Sequence, residues 1–149
     1  MHHDPDFHAP PRRILVLVDR DPEIGRALEQ AAALAASLEA ELVLLGVGAP
    51  QLDRAPTATV VAANKAMDRL TRERVVRARD LAPARVCARA IFGAAPTGRA
   101  VVEAARAERA ELVVLPLRRG HELSHLLHDG TERHVLHHSS VPVLIVPEA

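Results

Sequence analysis

Gly120, Gly130 and Thr131 are residues of this chain whose types and spacing could do chemistry. Nine residues, HELSHLLHD, separate the two glycines, and Thr131 follows the second at once. Glycine lets a backbone approach a ligand closely. A Gly-Thr pair that opens a helix aims unpaired N–H groups outward, and an anion is their natural guest. Arg118 and Arg119 precede Gly120, and guanidinium groups bind phosphate oxygens in pairs. The glycines could equally serve only as turn formers, and the arginines as solvated loop charges.

These residues need elements to position them. Leu112 to Leu117, LVVLPL, reads as a strand before the loop, and Thr131 to His138 as a short helix after it. Upstream, Ile14 to Val18 and Glu41 to Val47 are continuous apolar runs, the pattern of strands buried on both faces. Between them Ile24, Ala27, Leu28, Ala31, Leu34, Ala35 and Leu38 recur at helical spacing. Asp21 suits the N-cap of that helix and Pro22 its first position. Strand, helix, strand is a right-handed βαβ unit.

A long helix is expected over Thr57 to Leu81, with Val60, Val61, Met67, Leu70, Val75 and Val76 facing inward. Arg85 to Phe92 reads as a strand near the sheet edge, and Cys87 within it as a buried, inert thiol. Pro96-Thr97 open the next helix, whose Ala100, Val101, Ala104 and Ala105 face inward. Val141 to Val146, VPVLIV, is the last strand. Pro142 lacks a ladder donor, so this strand belongs at an edge. Five strands alternating with four helices predict an α/β three-layer sandwich around a parallel sheet with strand one central. Ligands of such sheets sit beyond the carboxyl ends of the strands, where Asp19, Val47 and Gly120 fall.

Composition sets the bounds. The 149 residues allow one domain with a sizeable core, taken as 12–149 behind a loose tail at 1–11. Nineteen basic residues balance nineteen acidic ones, which gives no general case for nucleic acid or an anionic membrane. Aromatics are limited to Phe7 and Phe92, so base-stacking platforms are missing. A single cysteine excludes an internal disulfide. Without a long apolar run or an apolar leader, the cytoplasm is the expected compartment.

From Arg12 to Val146 the sequence resembles the universal stress protein family. ILVLVDRDPEIGRALEQAAALAASLEAELVLLGV is similar to its opening βαβ, and FGAAPTGRAVVEAARAERAELVVL to its middle. HELSHLLHDGTERHVLHHSSVPVLIVP is similar to its ending. The resemblance implies an adenine nucleotide alpha hydrolase-like fold with strand order 3-2-1-4-5. It also implies a homodimer paired through the last strand, for which an unpaired edge supplies a physical reason. The family's nucleotide-binding branch carries G-x2-G-x9-G-[ST]. Gly120, Gly130 and Thr131 match it, whereas Leu117 stands at the first glycine, next to Pro116. Asp19 matches the acid that contacts the nucleoside, and Val18 and Val47 match positions lining its pocket. Arg119, with Arg118, is a candidate replacement for the lost phosphate contact. No Walker A, GxGxxG or SGGxDS loop is present.

His121, His125 and His128 would share a helical face, but no cysteine joins them and no metal site is expected. No spacing suggests a nucleophile and its base, so no catalytic residue is assigned and no enzyme is expected. Two functions stay open. One is a dimeric stress-response protein that acts through unknown protein partners, with degenerate or weak nucleotide binding. The other is a switch that binds ATP or AMP. Leu117 and Pro116 argue for the first, and the intact Gly120-x9-Gly130-Thr131 for the second.

Overall fold

The computed structural model describes residues 9–18, 25–48, 57–81, 87–94, 96–117 and 130–148. Its five strands are β1 (Arg13–Leu17), β2 (Glu41–Val47), β3 (Cys87–Gly93), β4 (Leu112–Leu117) and β5 (Val143–Pro147). They form one parallel sheet in the order β3-β2-β1-β4-β5. Helices α1 (Arg26–Leu38), α2 (Thr57–Leu81), α3 (Thr97–Ala107) and α4 (Thr131–His138) lie between them in the chain.

Strand alternation creates two cores. Ile14, Val16 and Val18 of the first strand region join Leu42, Leu44 and Val114 under α1 and α2. Leu15 joins Val43, Leu45, Val47, Val113 and Leu115 under α3 and Val135 of α4. Ile14, Leu15 and Val16 are almost wholly buried. Successive residues point to opposite faces, so a strand that is apolar throughout requires a helical layer on each side.

Several boundaries differ from the expected ones. Helix α1 spans Arg26–Leu38 with Gly25 as its cap; Asp21 and Pro22, expected at its start, lie outside the described residues. Val141 precedes β5 because a turn holds it: the Ser139 hydroxyl donates to the Val141 carbonyl at 2.7 Å and accepts from the Val141 N–H at 3.2 Å. Arg85 lies outside the described residues, and β3 starts at Cys87. That cysteine is exposed, not buried, because it opens an edge strand. On α2 the buried stripe is Met67, Thr71, Val75 and Ala78. Val61 and Val76, expected inside, are exposed, since a spacing of three to four from Met67 passes them by.

Thr71 is a polar residue in that stripe. Its hydroxyl donates to the Met67 carbonyl at 2.7 Å, one turn back. It packs on Gly46 of β2, where an added Cβ would lie 3.2 Å from the Thr71 Cβ and inside the contact distance of its Oγ1. The glycine therefore sets how closely α2 approaches the sheet.

A charged network ties the amino ends of the strands together. Glu41 accepts from Arg13 Nε at 3.1 Å and from Arg89 Nε at 2.5 Å. Arg89 also pairs with Glu108, and Arg13 Nη1 donates to the Glu108 carbonyl at 2.6 Å. The Arg89 hydrogen bond is the main cause that holds the Glu41 carboxyl below its ordinary 4.5; partial burial opposes it, and the charge on Arg13 adds to it.

Two predictions come from this packing. Gly46→Ala should destabilise by about 1–3 kcal/mol in urea unfolding, as overpacking does, and Thr71→Ala should return part of that loss in the double variant. The Glu41 contribution is present above pH 4.5 and fades as pH falls through its depressed folded value. A Glu41→Gln protein should therefore show a flatter loss of melting temperature between neutral and acid pH. Parallel curves for the two proteins would remove Glu41 from the acid response.

Candidate functional site

The carboxyl ends of β1 and β4 are adjacent, while the chain leaves them for β2 on one side and β5 on the other. This is the switch point at which parallel sheets open a crevice. Two helix N-termini, of α1 and α4, belong to the segments that follow these strands.

The α1 N-terminus already holds an anion. Glu148, directly after β5, accepts from the Arg26 N–H through Oε2 at 2.9 Å and from the Ala27 N–H through Oε1 at 2.9 Å. Its own N–H donates to the Leu117 carbonyl at 2.8 Å. Gly25 supplies no side-chain cap, so a carboxylate more than a hundred residues away satisfies two of the helix's orphan donors. Charge at a helix N-terminus adds to the gain. Glu148 is 8% exposed. It lines a crevice with Val18, Gly25, Arg74 and Pro116 whose volume is only about 10 Å³.

The α4 N-terminus is arranged differently. Gly130 has φ 99° and ψ −169°, a conformation that is essentially restricted to glycine. It is exposed, and Thr131 is half-buried. The Gly130 carbonyl accepts the first helical bond, from the His134 N–H at 3.3 Å, and the cap forms no side-chain hydrogen bond. The glycine in the sequence pattern thus meets a real backbone demand. Helix α4 also packs closely on α3, where a Cβ at Gly98 would lie 2.8 Å from the His134 Cβ.

The sequence candidates divide between the two faces. Val18 is buried on the α1/α2 side, with its N–H donating to the Leu45 carbonyl at 2.9 Å. Val47 is buried on the α3/α4 side, the side that carries Gly130 and Thr131. Asp19, Arg119 and Gly120 lie outside the described residues, as do Arg118, His121, His125 and His128. Leu117 remains within β4, in register with Pro147. By alternation from Leu115 its side chain lies on the α3/α4 face. Sequence reasoning did not single out Glu148. A lone Glu after a terminal strand carries no local signal, because its partner is fixed only by tertiary packing. Among the described residues, no cluster of His, Cys, Asp or Glu could hold a metal.

The model of the universal stress protein family matches residues 10–147. This chain belongs to the universal stress protein family. Its fold is shared with a universal stress protein solved in complex with cAMP, at 24% identity and TM-score 0.65, covering 94% of this chain and 99% of that one. A universal stress protein from Archaeoglobus fulgidus in complex with dAMP is 17% identical, with TM-score 0.62 and coverage of 89% and 95%. The UspA protein of Lactobacillus plantarum is 20% identical, with TM-score 0.65 and coverage of 90% and 96%. At these identities the likeness concerns the fold. No curated protein sequence matches the chain. No helix among the described residues is long and apolar enough to cross a membrane.

The cap can be tested directly. Glu148→Ala should cost about 0.5–2 kcal/mol, the usual effect of removing a capping acceptor, read as a lowered midpoint in urea. Glu148→Gln keeps one acceptor without the charge and should recover part of the loss. Equal stability of all three proteins would show that the α1 N–H groups are satisfied without Glu148.

Proposed function

We propose that this universal stress protein is a non-catalytic stress-response protein that acts as a homodimer through protein partners, with weak adenine nucleotide binding. The observation that carries the reading is Leu117. It stands where the nucleotide-binding pattern has its first glycine, and its backbone is committed to the sheet by pairing with Pro147 and by the bond from Glu148. A phosphate chain crossing here would meet an isobutyl group where the pattern has only hydrogen, on a backbone that cannot withdraw without breaking that pairing. Glu148 adds a second obstacle. Its carboxylate takes the N–H groups that α1 would otherwise offer to an anion and repels a second negative charge nearby.

An observation on the other side keeps ATP or AMP as a second reading. Gly130 and Thr131 open α4 with the backbone geometry that an anion site uses, on the same face as Val47. Relatives of this fold were solved with cAMP and dAMP. A helix N-terminus contributes about 0.3–1 kcal/mol to a nearby negative charge, and a blocked backbone approach costs a comparable amount, about 1–3 kcal/mol. The difference leans against tight binding.

The dimer reading rests on β5. It is an edge strand, and Leu144 on it and Leu136 on α4 are exposed. Unpaired ladder groups beside apolar side chains favour pairing with a second copy.

Three measurements test these readings. Calorimetric titration with ATP and magnesium should give a Kd above about 100 μM, or no heat, and denatured, freshly purified protein should release little nucleotide on chromatography. Micromolar affinity that disappears in Gly130→Val would establish the switch instead. Sedimentation should report about twice 16.1 kDa, and Leu144→Arg should shift it toward the monomer. A monomer at high concentration would overturn the dimer.

A further inference from the structure

A cleft lies away from the crevice, near the amino ends of β4 and β5. Its volume is about 280 Å³, at the lower bound of small-molecule sites. Val101 and Ala105 of α3, Val113 of β4 and Val135 of α4 form its apolar floor. Arg106, Arg109 and Ser140 stand on its lining as well.

The charge at this cleft is unbalanced. Neither Arg106 nor Arg109 has a side-chain ion pair among the described residues; of the acids near them in the chain, Glu103 pairs with Arg99 and Glu108 with Arg89, while Glu111 accepts from the Arg12 backbone N–H at the exposed start of β1. Two helices end here, α3 at Ala107 and α4 at His138. Each C-terminus carries roughly half a negative charge. Two guanidinium groups therefore exceed two helix ends by about one positive charge. The Ser140 hydroxyl also has no hydrogen-bond partner among the described residues. The Ser139 hydroxyl, in contrast, is bonded to Val141.

We propose that this cleft binds a small aliphatic carboxylate, with the hydrocarbon on the valine and alanine floor and the carboxylate on Arg106 and Arg109. Guanidinium meets carboxylate in a paired, planar geometry. The floor contains no aromatic side chain, so a nucleobase would gain no stacking here, and an aliphatic body is the better match. A chain of about six to eight carbons suits a cleft of this size. The ligand site stands apart from the nucleotide question, because its residues lie at the opposite ends of the strands.

Octanoate is the probe. Titrated into uniformly 15N-labelled full-length protein, it should shift the amide signals of Val113, Val135 and Ser140 with a Kd of about 0.1–1 mM. Acetate, which lacks the body, and 1-octanol, which lacks the charge, should each bind at least about tenfold more weakly. Arg106→Gln with Arg109→Gln should weaken octanoate by a similar factor and leave the octanol response unchanged, which separates lost charge from lost folding. Arg106→Lys with Arg109→Lys should retain part of the affinity. Octanol binding as well as octanoate, an unaltered octanoate affinity in the double Gln variant, or shifts confined to the carboxyl ends of β1 and β4 would each overturn the proposal. So would octanoate acting only by dissociating the dimer, which would make a second copy the occupant.

Discussion

The burial of β1 on both faces is the constraint from which the rest of the architecture follows. Ile14, Leu15 and Val16 have no polar neighbour among them, and each is at most 1% exposed. Such a strand is stable only with hydrogen-bonded strands on both sides and a helical layer above and below. Strands β2 and β4 supply the first condition, and the α1/α2 and α3/α4 layers supply the second. The central position of β1 also creates the switch point, because the chain leaves β1 for β2 on one side and leaves its neighbour β4 for β5 on the other.

The two ends of the sheet use charge differently. At the amino ends, Arg13, Glu41, Arg89 and Glu108 form a mutually compensated network across three strands and the end of α3. Its groups are partly exposed, so solvent screens them and they orient the strand starts more than they stabilise them. At the carboxyl ends Glu148 joins the chain after β5 to the start of α1 through two side-chain hydrogen bonds and to β4 through its backbone. This contact closes the α1/α2 side of the crevice. On the α4 side Gly130 holds a glycine-only conformation at the helix start, with no side-chain cap hydrogen bond. Of these two helix N-termini, one is thus filled by a carboxylate of the chain itself and the other forms no side-chain cap bond.

Side-chain size tells a similar story within the helices. Gly46 lets Thr71 approach β2, and Gly98 lets His134 approach α3. In both cases a small residue on one element answers a larger one on another, which is how a core made of Val, Leu, Ile and Ala can pack closely without aromatics.

The sequence by itself determined the strands, the helices, their alternation and hence the parallel three-layer sheet, because apolar runs and helical spacing are local patterns that report burial directly. It also marked Gly130 and Thr131, since a glycine before a helix has a local conformational reason. The sequence could not decide which apolar residues of α2 face inward, where Val61 and Val76 proved exposed and Thr71 buried. It could not place Cys87, whose exposure depends on β3 being an edge. Nor could it assign Glu148 to α1, or separate Val18 and Val47 onto opposite faces of the sheet. Those outcomes depend on which distant elements meet. Only the packed sheet brings residue 148 to residue 26, because a carboxylate has no preferred partner until folding selects the N–H groups within its reach.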